Sequence, residues 1–537
     1  MVSCEEKCKT MGFDGGIEYG ITLAYARTRN WGEWEIFREF MQNALDEIHE
    51  VTKLPPMEYP CRTVGNDTVI EDNGRGLATY HLLIGTSEKK PWQRGKFGEG
   101  MKIALLASVE KGIDVSIHSR DKIIKPTTVE KVLEDKIFPV LCVCYKKTQE
   151  QISGTRVVIH GRANLCNTYK RNFVQGLDPS CIRYSHLSIS EGSYEWRQLI
   201  NKRCTDDEGW IYVRDIYVTT FKDASAMSSF YSYNLFNVEI DESRRIPSGS
   251  SVSTEVERFW RNVEENAGKS RADRELLKEL MKKVIDVCAG YGAVYKVENV
   301  KPNRMEPPPV EVETDVFSSR YGEVINEVFD ELYGRDVAVI SSESDHTKAT
   351  YLGIKHIYCP LHVGWSLELI LHSGARIRKA IEESTGKEVT AKMSPIIRAL
   401  VNLLEDFAMK VYRRHYASKP RVVYAYAVTL PNGSPVAGLA DEENNTIKIN
   451  LEYLLDACLE SSSKCLSMYL AVFGHELVHL SYKLPDESPE FGAHLTYVMR
   501  DALSYVMTES YETSELIVKI SKLMSEFKKN PIPLSSS

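Results

Sequence analysis

The stretch Glu39-Phe-Met-Gln-Asn43-Ala-Leu-Asp46 lies in a segment whose apolar residues recur every three or four positions. That spacing predicts an amphipathic helix over residues 34–49 with one buried face. Glu39 and Asn43 are four residues apart, so they lie one turn apart on the same face. A carboxylate there can take a proton from water, and an amide oxygen can ligate Mg²⁺. Taken alone, the stretch also fits a solvated helix face.

A second motif, Asp72-Asn-Gly74-Arg-Gly76, follows the end of a predicted short strand at Val69-Ile70. A partly buried carboxylate at that exit can accept a hydrogen bond from an exocyclic amine such as that of adenine. The glycines let the backbone turn tightly and approach a ligand. An ordinary turn is the alternative, because Asp-Asn-Gly is a favoured turn sequence.

A third motif, Gly95-Lys-Phe-Gly98-Glu-Gly100-Met-Lys102, precedes an apolar run predicted to be helical over 101–109. Backbone N–H groups at a helix N-terminus bind anions, and Lys96 or Lys102 would add charge near phosphates. Upstream, the polar segment 84–90, which includes Lys89, resembles a lid. The fourth motif, Ser153-Gly154-Thr155, precedes a predicted strand, and the Thr155 hydroxyl is placed to support Asp72 or a bound base.

Together the four motifs resemble the ATPase superfamily of gyrase B, the ninety-kilodalton heat-shock chaperones, histidine kinases and MutL. The resemblance implies a Bergerat-type α/β sandwich over residues 1–160, with Glu39 as general base, Asn43 on Mg²⁺ and Asp72 on adenine. Kinases of the superfamily usually lack such a Glu, so ATP hydrolysis is expected and phosphotransfer to His is not. The residues implied to bind the cofactors ATP and Mg²⁺ are Asn43, Asp46, Asp72, Gly74, Gly76, Lys89, Gly95, Lys96, Phe97, Gly98, Glu99, Gly100, Met101, Lys102 and Thr155.

Residues 161–300 resemble the transducer α/β domain that sends a basic side chain to the γ-phosphate in gyrase-like proteins. Lys222, Arg244 and Arg245 are the candidates, and a solvated charged turn is the alternative for the two arginines. A proline-rich linker is predicted at 301–315 and a small α/β region without a catalytic motif at 316–385.

A separate motif, His475-Glu476-Leu-Val-His479, lies in an apolar run predicted to be a helix over 468–482. Two histidines four apart can ligate one Zn²⁺, while the neighbouring Glu476 activates a water molecule. Two predicted strands and a helix precede it, an order found in zinc metallopeptidases, so a zincin-like α+β domain is predicted over 386–530. A buried helix with two hydrogen-bonded histidines is the alternative.

The third zinc ligand is predicted downstream. Ser488-Pro489 is a favourable helix start, and Glu490 falls in the first turn. The resemblance to zincins that use a downstream Glu makes Glu490 the chosen ligand, with His494 supporting it. Glu487 and His494 remain rival ligands.

Composition sets the broad class. The 537 residues predict an α+β multidomain protein with at least three domains, followed by a disordered tail at 531–537. With no membrane-spanning apolar run and no signal-peptide pattern, a cytoplasmic location is expected. The twelve cysteines lack a C-x-x-C pair, which excludes a zinc ribbon. Reduced, buried cysteines are expected, although the scarcity of Gln is typical of a thermophile, in which disulfides occur.

The combined hypothesis is an ATP-hydrolysing switch that dimerises with ATP and gates a zinc peptidase acting on protein substrates. One alternative is an ATP-driven clamp or chaperone in which the peptidase fold only docks partners. Another is a DNA-acting ATPase resembling type IIB topoisomerase or MutL. The net charge of −8 does not favour nucleic acid as a partner, and no membrane partner is expected.

Overall fold

The computed structural model describes most of the chain. Five predicted site residues lie outside the described part: Lys89, Lys96, Phe97, Gly98 and Glu487. The predicted linker lies outside it too, apart from Glu313, and so does the tail. The described residues are 2–78, 90, 93–95, 99–190, 193–205, 208–225, 228–241, 244–298, 313, 316–317, 319–342, 345–346, 349, 354–359, 362–374, 379, 388–389, 393–425, 427–430, 434–486 and 488–529.

The chain divides into two compact units. The first comprises Met1–Phe259 with Pro307–Glu313, and the second comprises Trp260–Glu306 with Thr314–Ser537. Each combines helices with β-sheets, which confirms the prediction of a mixed α+β chain. The finer division into ATP-binding, transducer-like and zincin-like domains stays a prediction.

The first unit contains a seven-stranded antiparallel sheet in the order β1-β6-β5-β4-β7-β3-β2. Four helices accompany it, and two apolar clusters join helices to the sheet. The strands are β1 (Gly15–Thr22), β2 (Cys61–Val64), β3 (Asp67–Glu71), β4 (Val115–Ser119), β5 (Lys122–Leu133), β6 (Lys136–Lys147) and β7 (Thr155–Ile159), and the helices are α1 (Cys4–Thr10), α2 (Leu23–Arg29), α3 (Glu33–Thr52) and α4 (Gly100–Glu110).

Helix α3 matches the predicted amphipathic helix. The Glu35 carboxylate accepts a 2.8 Å hydrogen bond from the Gly32 backbone N–H and caps the start of the helix. Its end is marked by Lys53 in the left-handed conformation. The fully buried face is formed by Ile36, Phe37, Phe40, Met41, Ala44 and Leu45, which pack with α4 and the sheet.

The first unit also contains a five-stranded sheet in the order β11-β10-β12-β9-β8. Strands β10 and β12 are parallel, and the other neighbouring strands are antiparallel. The elements are α5 (Leu165–Thr168), β8 (Ile182–Ser190), β9 (Ser193–Ile200), β10 (Trp210–Val213), β11 (Ile216–Thr220), α6 (Phe221–Ser225), β12 (Ser232–Leu235) and α7 (Gly249–Ala267), which ends in the second unit.

The second unit contains a parallel pair, β13 with β14, and a three-stranded sheet in the order β15-β17-β16. Strand β17 is parallel to β15 and antiparallel to β16. Its elements are α8 (Arg271–Glu298), α9 (Gly322–Tyr333), β13 (Ala338–Ile340), β14 (His356–Tyr358), α10 (His362–Ile370), α11 (Pro395–Val411), β15 (Arg421–Ala425), β16 (Gly438–Asp441), β17 (Thr446–Asn450), α12 (Leu451–Glu460), α13 (Ser462–Tyr482), α14 (Pro489–Thr508) and α15 (Ser510–Lys529).

The described cysteines are paired, so the expectation of reduced cysteines is wrong for this structure. Three of the pairings join positions more than 100 residues apart, which composition and local spacing do not reveal. The described pairs are Cys4–Cys142, Cys8–Cys144, Cys61–Cys166, Cys181–Cys204 and Cys458–Cys465, and Cys359 is disulfide-bonded as well.

Within the described residues, no helix combines the length and the apolar character needed to cross a bilayer.

Candidate functional sites

The Glu39 side chain is buried on α3, with 6% of its surface exposed. Its Oε2 accepts a 3.3 Å hydrogen bond from Gln42 Nε2, and its Oε1 lies 3.4 Å from Arg38 Nη2. A Cβ built on Gly100 would overlap this carboxylate, so the first residue of α4 lies directly against it. The proposed base therefore lies where the glycine segment enters its helix.

Asn43 and Asp46 extend the same helix but make different contacts. The Asn43 side-chain nitrogen donates a 2.7 Å hydrogen bond to the Glu39 carbonyl, so its oxygen is the atom suited to a metal ion. The buried Asp46 carboxylate accepts hydrogen bonds from the backbone N–H groups of Arg94 (2.8 Å) and Gly95 (3.2 Å). Asp46 thus fixes the start of the glycine segment to α3.

Asp72 follows β3 and is buried beside β7. Its Oδ1 accepts hydrogen bonds from the backbone N–H groups of Gly74 (2.8 Å) and Thr155 (3.1 Å). Burial raises the pKa of the Asp72 carboxyl to about 7, and the nearby Glu47 adds to the increase. No hydrogen bond to Oδ2 occurs within the described part of the chain, so this oxygen is the one suited to a ligand amine.

The glycines around Asp72 permit close approach. Gly76 and Gly154 both have a φ of +78°, in the region that favours glycine, and a Cβ on Gly154 would overlap the Asp72 carbonyl. The Thr155 hydroxyl was expected to support Asp72, but in the structure the Thr155 backbone N–H makes that contact. Its hydroxyl lies 3.3 Å from Ser119 Oγ, a residue that the sequence did not single out.

The remaining described residues of the glycine segment lie at the start of α4. Lys102 is buried, and burial lowers the pKa of its ammonium group. The Glu99 carboxylate accepts a 3.2 Å hydrogen bond from the Tyr25 hydroxyl. The Met101 side chain is partly buried and packs against the edge of the apolar core.

Among the three candidate basic residues, Arg244 is the one that reaches α3. Its Nη1 donates a 2.8 Å hydrogen bond to Gln42 Oε1, and its Nη2 donates a 3.0 Å bond to the Val213 carbonyl. Burial, followed by the nearby Arg38, lowers the pKa of Arg244 to about 9. Lys222 and Arg245 are exposed and pair with Glu208 and Asp241.

Within the described residues, three guanidinium groups have a buried Nε without a hydrogen-bond partner: those of Arg38, Arg94 and Arg244. Arg38 and Arg244 are the two considered for the nucleotide site. An unpaired buried donor costs about 1–3 kcal/mol, and more when the group is charged. Both side chains are next to the Glu39–Gln42 turn, so an anion bound there would satisfy them. The sequence had made Arg244 a candidate for the γ-phosphate, whereas it had not singled out Arg38.

In the second unit, α13 and the turn that follows it bring three donor atoms to one point. His475 Nε2 and His479 Nε2 are 3.3 Å apart, and Asp486 Oδ1 lies 3.0 and 3.2 Å from them. Ligands at 2.0–2.1 Å from a tetrahedral Zn²⁺ are about 3.3–3.4 Å apart. The spacing of His475, His479 and Asp486 therefore fits one zinc ion.

Among the described residues, cysteines in the first unit form a second candidate metal group.

The turn after α13 explains why Asp486 reaches the histidines. Lys483 adopts the left-handed conformation and ends the helix, so the chain folds back over its last turn. The Leu484 carbonyl then lies 2.6 Å from His479 Nδ1. A proton on Nδ1 leaves Nε2 as the lone-pair donor that a metal requires. Burial also lowers the pKa of His475, which favours its neutral, ligating form.

Glu476 is buried between α13 and β16. A Cβ on Gly438 would lie 2.9 Å from Glu476 Oε1, so β16 packs closely against this side chain. Burial raises the pKa of the Glu476 carboxyl to about 7, close to the value that suits a general base at neutral pH.

The chosen third ligand is not brought to the histidines. Glu490 is exposed in the first turn of α14, and the neighbouring Phe491 ring contacts the imidazoles instead. The His494 ring stacks on Tyr482 at 4.0 Å. Sequence reasoning missed Asp486, whose only signal was its position seven residues after His479.

Comparison with known proteins adds little about activity. No family model matches the chain. A protein of Mycoplasma pneumoniae (strain ATCC 29342 / M129 / Subtype 1), described as an uncharacterized protein, is 33% identical over 110 residues. The match covers 19% of this chain and 43% of that protein, so the chain spans less than half of that relative.

Proposed function

We propose that this protein is an ATP-hydrolysing conformational switch joined to a zinc-dependent peptidase that acts on protein substrates. One observation supports each half. For the first it is the contact of the Glu39 carboxylate with Gly100, beside two buried arginines with unpartnered nitrogens. For the second it is the meeting of His475, His479 and Asp486 next to a buried Glu476.

In the proposed nucleotide site, Asp72 Oδ2 accepts a hydrogen bond from the adenine amine. The Asp72 carboxyl can accept this bond whether it is ionised or neutral, because both forms have an acceptor oxygen. The peptide N–H groups of Gly74 and Thr155 hold the carboxyl in place through Oδ1. Helices α3 and α4 against an antiparallel sheet are consistent with the Bergerat-type sandwich that the resemblance implies.

Hydrolysis is assigned to Glu39, which takes a proton from the attacking water. Gln42 and Arg38 hold the carboxylate. Arg244 donates hydrogen bonds to Gln42 and to the Val213 carbonyl, and so connects this part of α3 to β10. Mg²⁺ on the Asn43 side-chain oxygen would offset phosphate charge when bound. The excess positive charge of Arg38 and Arg244 attracts the terminal phosphate.

Peptide cleavage is assigned to the α13 site. Zn²⁺ held by His475, His479 and Asp486 would act as a Lewis acid and lower the pKa of water. Glu476 takes up the proton of that water and passes it to the leaving amine. Strand β16 lies beside Glu476 at the end of its sheet, so its outer edge suits an extended peptide, which would add to the sheet as a further strand.

Coupling between the two activities requires that ATP bind two conformations with different affinity. Within the first unit, the hydrogen bonds of Arg244 join α3 to β10. Loss of the terminal phosphate would therefore shift Arg244 and, through it, the five-stranded sheet. The expected ATP-dependent homodimer belongs to the same proposal.

Two variants of the full-length protein separate the halves. Glu39→Gln should bind ATP but lose hydrolysis by about 10²–10⁴-fold, the contribution typical of a general base. Glu33→Gln, on the same helix in an exposed ion pair with Arg162, is the matched control and should hydrolyse ATP normally. Undiminished hydrolysis by Glu39→Gln would remove Glu39 from the mechanism.

Glu476→Gln should retain about one zinc per chain and lose cleavage of an unfolded protein. Zinc in the wild type without any cleavage would instead support the clamp or chaperone alternative, in which the zincin-like fold docks partners.

A further inference from the structure

Four cysteines of the first unit meet at one place. Cys4 and Cys8 are four residues apart on α1 and share a helix face, while Cys142 and Cys144 are two apart on β6 and share a strand face. Helix α1 packs on β1 and β6, so the two pairs face each other. All four side chains are buried.

The sulphur atoms form one cluster. Besides the bonded pairs, Cys8 Sγ lies 3.5 Å from Cys142 Sγ, and the sulphurs of Cys4, Cys8 and Cys142 lie within 4.8 Å of one another. The fourth sulphur, of Cys144, is bonded to Cys8. Sulphurs around a tetrahedral Zn²⁺ with 2.3 Å bonds are about 3.8 Å apart. Three of the four sulphurs therefore lie close enough together to share one ion, and Cys144, bonded to Cys8, is the fourth thiol released beside them when the disulfides open.

The strand beside the cluster leaves space for it. Gly16 on β1 pairs with Cys144, and a Cβ at position 16 would overlap the Cys8 sulphur and lie 2.9 Å from the Cys4 sulphur. Any side chain at this position would displace the thiols. A glycine is therefore required for the four sulphurs to approach each other.

The surroundings suit a buried metal–thiolate group. Val129 and Val140 are buried apolar neighbours of the cysteines, and the partly buried Phe13 and Phe138 pack against them. The Lys7 ammonium, on the same helix, donates a hydrogen bond to the Thr128 carbonyl of β5, the strand paired with β6.

The other described disulfides differ in kind. Cys61–Cys166, Cys181–Cys204 and Cys458–Cys465 are isolated pairs. In the part of the chain that the structure describes, three cysteine sulphurs come together only at the α1–β6 cluster.

We propose that, in the reduced chain, Cys4, Cys8, Cys142 and Cys144 bind one Zn²⁺ through four thiolates. Each disulfide first accepts two electrons and two protons. Two thiols supply both and become a disulfide, or a phosphine supplies the electrons and becomes a phosphine oxide while water supplies the protons and the oxygen. The four thiols then lose their protons as four S–Zn bonds form. Soft thiolate ligands in this number favour Zn²⁺ over Mg²⁺.

The site would attach α1 to β6 in a reducing environment, where the disulfides are open. A disulfide oxidant, itself reduced to two thiols for each disulfide formed, would re-form the two disulfides and release the ion, so α1 stays attached in both states. This site is independent of the proposed activities, because none of its ligands contacts Glu39 or the α13 histidines in the contacts found for the described residues.

Cobalt provides the test. The full-length protein is reduced with a phosphine under anaerobic conditions and titrated with Co²⁺. Thiolate-to-cobalt charge-transfer absorption should appear, reach a plateau with the intensity of one four-thiolate site per chain, and then disappear when Zn²⁺ is added. The α13 site has no sulphur ligand, so it cannot produce this absorption. Its absence in the reduced wild type would overturn the proposal.

Two variants locate the absorption. Cys4→Ser/Cys8→Ser should lose it, and the matched pair Cys61→Ser/Cys166→Ser, which removes an isolated disulfide, should keep it. Full absorption in the first variant would overturn the proposal.

Alkylation of the wild type provides a measurement that needs no variant to fold. In reduced protein, Zn²⁺ should slow alkylation of Cys4, Cys8, Cys142 and Cys144 at least tenfold, as followed by peptide mass spectrometry. Equal alkylation of these four with and without Zn²⁺ would contradict the assignment.

Discussion

Gly100 and Glu39 are in direct contact: the first residue of α4 leaves room for the α3 carboxylate only because it has no side chain. Two elements that are far apart in sequence are thereby joined at the atom proposed to activate water. The position of the base depends on a glycine whose role is steric.

Gly100→Ala should displace the Glu39 carboxylate and reduce ATP hydrolysis at least tenfold. The obstructing atoms belong to the end of a flexible side chain, and Ala forms helix better than Gly, so the unfolding midpoint should change little. Gly20→Ala is the control, since a Cβ there meets nothing within 4 Å. Normal hydrolysis by Gly100→Ala would show that Glu39 needs no fixed position.

Asp72→Asn should weaken ATP binding and make the nucleotide-free protein more stable at pH 8. The folded pKa of Asp72 is about 7 against an ordinary 3.8, so ionisation is disfavoured in the folded state. This cost is absent below pH 3.8, grows between pH 4 and 7, and reaches at most about 4 kcal/mol above pH 7. Asn avoids it and keeps an oxygen for the Gly74 and Thr155 N–H groups.

Urea unfolding midpoints at pH 5 and pH 8 measure this effect. The wild type should lose more stability than Asp72→Asn as the pH rises. Parallel changes in both proteins would mean that Asp72 is ionised without penalty.

Asp486→Ala should lower zinc affinity at least tenfold, whereas Glu490→Ala should leave it unchanged. Both side chains are exposed, so neither truncation should unfold the second unit. Metal analysis after dialysis against a weak chelator distinguishes the two ligands. Zinc lost only from Glu490→Ala would restore the ligand expected from sequence.

Arg244→Gln should reduce the preference for ATP over ADP about tenfold, because a buried positive charge near Glu39 is lost. Arg245→Gln is the neighbouring control, with an exposed side chain paired to Asp241. Titration calorimetry with both nucleotides measures the ratio, which a purely structural defect would not change. An unaltered ratio would exclude contact between Arg244 and the terminal phosphate.

Much of the local structure was predictable from sequence. The apolar spacing around Glu39 gave α3, Val69-Ile70 gave a strand ending before Asp72, and the run around His475 gave α13. Each depends on periodicity within one element, which nearby residues determine. The helix predicted over 101–109 lies within α4, which begins one residue earlier at Gly100, and the predicted helix start at Ser488-Pro489 was confirmed.

Contacts that depend on a reversal of the chain or on tertiary packing were not predictable. Asp486 reaches the histidines because Lys483 reverses the chain, and a left-handed lysine has no strong sequence signal. Arg38, Glu39 and Gln42 are polar residues outside the apolar face of α3, yet all three are buried, and this burial brings their side chains together. The cysteine pairs depend on the placement of α1 on β6, a long-range contact.

Cleavage of an unfolded protein by the full chain, measured with ATP, with ADP and without nucleotide, tests the central claim most directly. The zinc-loaded wild type should cleave several-fold faster with ATP than without it. Glu39→Gln cannot hydrolyse ATP repeatedly, so it should lose the part of this stimulation that depends on hydrolysis. Glu476→Gln should cleave under none of these conditions. Equal cleavage with and without ATP would contradict the coupling, and cleavage retained by Glu476→Gln would contradict the peptidase site.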